Sequence, residues 1–242
     1  MPTLPFFPLP LKGKKIPILY HNMSDNIRVN LKENLRLHLQ ELVRKRDPYL
    51  ASGGYFYVKE YLRTQLEKWG TVEIDQFRFR HQNHQNIILH LPPLNKAKGR
   101  QPLILIGAHY DAVPGTPGAD DNASGVAVLL ELARTIATHP LKYPVQLVAF
   151  DMEEYGLLGS EHYAQKLKRE KQEIRLMISL EMLGYCNKKS GSQLYPKGLE
   201  YFYPNRGDFI ALISNLRTLV DMLKLRKMFR KAGSTCGSIP NL

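Results

Sequence analysis

The sequence predicts an α/β fold: a three-layer α/β/α sandwich around a mostly parallel central sheet. Three observations lead there. The runs at residues 103–108, 145–150 and 175–180 are short and mostly apolar, the first continuously so, as expected of a strand buried on both faces. The segments between them, 122–139 and 157–171, carry apolar residues at helical spacing. Strand and helix alternate in order, and no internal repeat or heptad pattern competes with that reading.

Taken in order, residues 1–26 are proline-rich and read as an irregular N-terminal arm, with 27–242 forming a single domain. Leu31, Leu35, Leu39, Leu42 and Val43 place a helix over 27–46, capped by Asp25 or Asn26 and ended by Asp47-Pro48. A second amphipathic helix runs over 55–69 and stops at Gly70. Residues 71–79 alternate as a strand and 86–91 form another. His81 and His84, in the polar stretch between, are expected in a turn. After the basic loop 92–101 come the buried strand 103–108, the helix 122–139, the strand 145–150, the helix 157–171 and the strand 175–180. A long basic helix is expected over 208–231. Its apolar stripe, Leu216, Leu219, Val220, Leu223 and Met228, is expected to pack on the sheet.

Composition narrows the class. With 43% hydrophobic and 23% charged residues, the 242-residue chain has the balance of a globular domain large enough to bury a core. No run approaches the ~18 apolar residues that span a bilayer. The apolar start lacks a basic leader and a small-residue cleavage site, so a cytoplasmic protein is expected. Cys186 and Cys236 are too few for a disulfide framework and fit a reducing compartment. The net charge of +12 raises polyanion binding, but the clusters at 12–15, 44–46, 166–171 and 217–231 lack interleaved aromatics. They read as solvated surface, with no specific nucleic-acid partner.

The chemistry sits at strand ends. Three consecutive apolar runs finish in His109/Asp111, Glu153/Glu154 and Glu181, and Asp120-Asp121 lies between the first strand and its helix. In open α/β sheets, ligands bind beyond the carboxyl ends of the strands. Crowding that many carboxylates is costly without cations, so one divalent metal, or two, is expected. Imidazole with carboxylates suits zinc. Asp111, two residues past His109 on an extended chain, faces the same side and can accept the ring's other N–H. Of the adjacent glutamates, one can bind metal while the other takes a proton from water.

His109-X-Asp111, Gly118-Ala-Asp-Asp121-Asn-Ala-Ser-Gly125, Asp151-Met-Glu153-Glu154-X-Gly-Leu-Leu-Gly159-Ser and Ser179-Leu-Glu-Met-Leu-Gly184-Tyr resemble, in order, the motifs of the co-catalytic zinc aminopeptidases. That family includes bacterial leucyl aminopeptidase, aminopeptidase Y and glutamate carboxypeptidase II. The resemblance covers roughly residues 30–215. It implies a phosphorylase/hydrolase-like sandwich, two zinc ions and a peptide substrate. One zinc would be held by His109, Asp121 and Glu181, with Asp111 behind His109. Asp121 would bridge to a second zinc held by Glu154. Glu153 would be the general base, and the Asp121–Asn122 peptide would be cis.

The resemblance also implies a ligand histidine near the C-terminus, yet the last of the eight histidines is His162. The expectation is therefore a C-terminally truncated member whose sheet lacks its last strands and whose second metal site is incomplete. His162 and Cys186 are expected to serve packing. Two alternatives to an exopeptidase stand beside it. One is an inactive pseudo-peptidase that binds acidic partners through its basic helix. The other is a glutaminyl cyclase-like transferase.

Overall fold

The computed structural model describes residues 25–95, 99, 101–195 and 205–232. Nearly all of the N-terminal arm, and the last ten residues, lie outside the described residues. Asn30–Gly184 form one compact unit, and the described residues from Tyr185 onward belong to a second.

In the larger unit, α1 (Asp25–Leu42) and α2 (Ser52–Glu67) precede a hairpin of β1 (Thr71–Phe79) and β2 (Gln82–Leu91). Then come β3 (Leu103–His109), α3 (Gly125–Thr138), β4 (Val145–Phe150), α4 (Leu158–Arg169) and β5 (Ile174–Ser179). The sheet order is β1-β2-β4-β3-β5. β4, β3 and β5 are mutually parallel, and β2 runs antiparallel to both β4 and β1. Only β2 therefore opposes the common direction, as a mostly parallel sheet requires.

Both faces of β3 and β4 are covered, which explains their apolar runs, whereas β5, expected to be buried as well, is exposed or half-buried throughout because in the described sheet it has a neighbour on one side only. On one face Ile87, Leu89, Ile106, Ala108, Leu147 and Ala149 meet Val58, Leu62 and Leu66 of α2 and Leu129, Leu130 and Ala133 of α3. On the other, Ile88, Leu105, Val148 and Phe150 meet Tyr163 and Leu167 of α4. β5 is the edge of the described sheet, and its Ile174 and Met177 are exposed. No described helix is long and apolar enough to cross a membrane.

Four expectations are corrected. The turn at His81–Asn86 is shorter: Arg80 and His81 alone make it, both at positive φ, and Phe79 pairs with Gln82. That two-residue connection is the one whose twist suits a hairpin. It carries His84 into β2, where its ring is buried. The helix expected from 122 starts at Gly125, because Asp121 and Asn122 have non-helical backbone angles. In the smaller unit, the helix expected from 208 is α5 (Leu219–Ala232), preceded by one 3-10 turn. Asn215 stops it from extending backwards: its side chain accepts from the Thr218 amide, a helix-start role asparagine favours. Leu216, Leu219, Val220, Leu223 and Met228 are exposed. Finally, Cys186 is disulfide-bonded, where a free thiol was expected.

Candidate metal centre

The parallel register brings the strand ends together. His109, the last residue of β3, pairs with Phe150, the last of β4. Leu180 continues the β5 ladder by donating to the Gly107 carbonyl. Glu181 thus leaves β5 beside His109. The His109 ring is buried, and its Nε2 lies 3.0 Å from Asp121 Oδ1, 3.5 Å from Glu181 Oε1 and 3.9 Å from Glu153 Oε2. One ligand atom each from His109, Asp121 and Glu154 falls within 4.8 Å of the others. The sequence-predicted set therefore converges.

Asp111 does more than the sequence suggested. It is fully buried, and its Oδ1 is 3.4 Å from His109 Nδ1, a nitrogen with no hydrogen-bond partner among the described residues. Its two oxygens instead accept the backbone N–H groups of Glu153 (3.1 Å) and Glu154 (3.0 Å). One carboxylate from the β3 end thus fixes the turn that carries both glutamates. The Val113 amide donates to Glu154 Oε1 at 3.1 Å, aiming that side chain as well.

The Asp121–Asn122 peptide is cis, as the resemblance implied. Asn122 joins this turn to the end of β5. Its amide donates to the Leu180 carbonyl and to Glu181 Oε2, and its oxygen accepts from Gly125 and Met182. A Cβ on Gly125 would sit 2.3 Å from Asn122 Oδ1 and 2.8 Å from the Leu180 carbonyl, so only glycine allows that approach. Asp120 points elsewhere. It accepts from the Ser124 hydroxyl and the Gly184 amide. His162 stacks on Phe77, consistent with packing.

The electrostatics are those of several carboxylates crowded around one imidazole. Burial opposes charge on His109, but Asp111 and Glu181 outweigh it and push the ring up to about 10. Burial, then Asp121 and other neighbouring acids, raise Glu154 to about 7; burial also raises Glu153. Each shift favours the protonated form and so lowers the negative charge of the cluster.

Two features escaped the sequence reading. Arg46, assigned to a solvated basic cluster, is 1% exposed and, among the described residues, donates only to backbone carbonyls, those of Leu42, Arg44, Tyr110, Pro117 and Gly118. A cation just past a helix C-terminus is a signal that could have found it, since helix-end carbonyls seek donors. The second is a polar layer around buried Asp151, which accepts from the Tyr55 hydroxyl and the Gln85 and Met152 amides, with His84 Nδ1 at 3.6 Å.

A sequence profile of peptidase family M28 matches residues 86–207. The chain belongs to this family. Among relatives, the Escherichia coli K12 protein YfbL is 46% identical over 132 residues, covering 49% of this chain and 40% of that protein. Bacillus subtilis aminopeptidase YwaD is 39% identical over 123 residues, covering 50% of this chain and 26% of that one. A probable zinc metalloprotease of Pyrenophora tritici-repentis is 41% identical over 96 residues, covering 36% and 22%. The chain thus spans less than half the length of these relatives. Among solved structures, an Acidobacteriales bacterium glutaminyl cyclase shares the fold, with a TM-score of 0.61 at 18% identity over 95% of this chain and 74% of that one.

Proposed function

We propose that this chain carries the metal-binding and catalytic core of a zinc-dependent exopeptidase of aminopeptidase type. The observation that carries the reading is the facing of His109 Nε2 by Asp121, Glu181 and Glu153 across the ends of three adjacent parallel strands. The donor set fits zinc: one imidazole with several carboxylates, on a rigid sheet edge. The relatives named aminopeptidase and zinc metalloprotease support the same choice.

His109, Asp121 and Glu181 would hold one zinc, and Asp121 with Glu154 would hold part of a second site. Bound zinc supplies Lewis-acid polarisation of the scissile carbonyl and makes water more acidic. Glu153 is the general base: its carboxylate takes the proton of the attacking water and passes it to the leaving amine. Asp111 keeps Glu153 in place by accepting its backbone N–H, and also holds Glu154 beside Asp121 and His109. Asn122 performs the same service for Glu181.

The test is hydrolysis of aminoacyl chromogenic substrates with added zinc. The expected result is turnover by the chain, or by the chain extended to its relatives' length, with Glu153→Gln losing turnover while still binding zinc. Absence of hydrolysis from both would overturn the reading. Cyclisation of N-terminal glutaminyl peptides without hydrolysis would move it to a transferase.

A second, non-catalytic reading rests on α5. Leu216, Val220 and Leu223 are exposed alongside exposed Lys224, Lys227 and Lys231, a face suited to acidic partners. Salt-insensitive behaviour toward anionic vesicles and RNA would remove it.

A further inference from the structure

We infer that the adjacent residues Arg46 and Asp47, outside the ligand cluster, are a two-armed positioning pair that holds both ligand-bearing loops of the site. The inference rests on the zinc reading above. One arm is the Arg46 guanidinium. Its Nε donates to the Tyr110 carbonyl at 2.7 Å, and Tyr110 lies between His109 and Asp111. Its Nη1 and Nη2 donate to the Pro117 and Gly118 carbonyls at 2.6 and 2.8 Å. Gly118 stands three residues before Asp121, and its carbonyl also accepts from Ala123. The fork therefore grips both ends of the loop that separates His109 from Asp121.

The other arm is the Asp47 carboxylate. Its Oδ2 accepts from the Tyr155 hydroxyl at 2.6 Å, and Tyr155 immediately follows the Glu153-Glu154 pair. Its Oδ1 accepts the Tyr49 and Leu50 amides, which fixes the carboxylate in turn. Both residues are about 1% exposed. The dipeptide follows the end of α1, whose Leu42 carbonyl is another Arg46 partner.

Gly118 is shaped around this grip. Its φ is +53°, and a Cβ there would sit 2.7 Å from Arg46 Nη2 and 2.5 Å from the Asp121 carbonyl oxygen. Among the described residues Arg46 makes no hydrogen bond to a carboxylate. The acids whose field it feels are Asp111, Asp121 and Glu154. That placement gives the idea a sign. A cation beside a metal site repels the metal, so if Arg46 acted only as a charge, its removal would tighten zinc binding. If it acts as a clamp, its removal loosens the loops and weakens zinc binding.

The experiment measures zinc affinity by competition with a chromophoric chelator, for the wild-type chain and for Arg46→Lys, Arg46→Gln, Tyr155→Phe and Leu66→Ala. Leu66 is a buried core residue near the end of α2 and serves as the control for lost stability. Outer-shell partners of metal ligands typically contribute a factor of roughly 10 to 100 in affinity, and Arg46→Gln should lose that much. Arg46→Lys should recover part of it. Tyr155→Phe removes one hydroxyl and should lose about 2- to 10-fold. Leu66→Ala should melt earlier with unchanged affinity. Amide exchange in zinc-free protein should quicken over residues 110–121 in Arg46→Gln and not in Leu66→Ala.

Unchanged or tighter binding in Arg46→Gln would overturn the inference while leaving the zinc site standing, as would Tyr155→Phe binding like wild type. Failure of both Arg46 variants to fold would overturn it too, since Arg46 would then be a requirement of the core. No zinc bound by the wild-type chain would remove the site reading itself, and this inference with it.

Discussion

Asp111 and Asp151 make a controlled comparison inside one molecule. Both are aspartates just past the ends of neighbouring parallel strands, and both are fully buried. Their partners differ. Asp111 accepts two backbone amides from the glutamate turn and lies against the His109 ring. Asp151 accepts a tyrosine hydroxyl and the amides of Gln85 and Met152, and lies against His84. The first therefore orders groups that face the open side of the site, and the second ties β4 to β2 and α2. Burial and residue type are shared; what separates a site residue from a structural one is which loops its oxygens hold.

The largest effect expected from that difference is on pH dependence. His109 is raised above its unfolded value of 6.5, so its contribution to the metal-free fold is complete below that pH and lost as pH rises through about 10. Glu154, raised from 4.5 to about 7, moves stability in the same direction over its lower range. The metal-free protein should lose on the order of a few kcal/mol through His109 between pH 6 and 10, and saturating zinc should flatten that slope by replacing the protons. Thermal melts across pH with and without zinc measure both; a metal-free stability that rises over this range would break the comparison.

Substitutions sharpen it further. Asp151→Ala leaves the Tyr55 hydroxyl and two amides without their acceptor. It should cost about 3 kcal/mol or more in denaturant unfolding, with the zinc affinity of the folded fraction retained. Asp111→Asn keeps the shape but cannot accept both glutamate amides through oxygen. Zinc affinity should fall roughly 10- to 100-fold, with a smaller stability loss. Tyr55→Phe removes one hydrogen bond from the Asp151 layer and should cost about 1–2 kcal/mol, with no change in zinc titration. If an Asp151-layer variant loses zinc as Asp111→Asn does, the two regions are one.

Much of the site was legible because its signals are local. Short, mostly apolar runs marked β3, β4 and β5, and the rule that ligands gather beyond the carboxyl ends of such strands then placed His109, Glu153, Glu154 and Glu181 at one end of the sheet. Asp121 followed from the resemblance. What stayed hidden depends on partners distant in sequence. Arg46 sits among basic residues at a helix end, and nothing local tells that its fork meets carbonyls more than 60 residues away. His84 looked like a turn residue because the stretch is polar; only the two-residue connection at Arg80 and His81 puts it in a buried strand. The helix start at Leu219 was missed because helical spacing continues upstream while the Asn215 cap overrides it.

The central claim is that His109, Asp121, Glu154 and Glu181 form a zinc site. Equilibrium zinc titration of the purified chain against its His109→Ala variant tests it most directly. The account predicts saturable binding that tightens as pH rises from 6 to 9 and is lost in the variant. Equal binding by both proteins, or binding that weakens with rising pH, would contradict it.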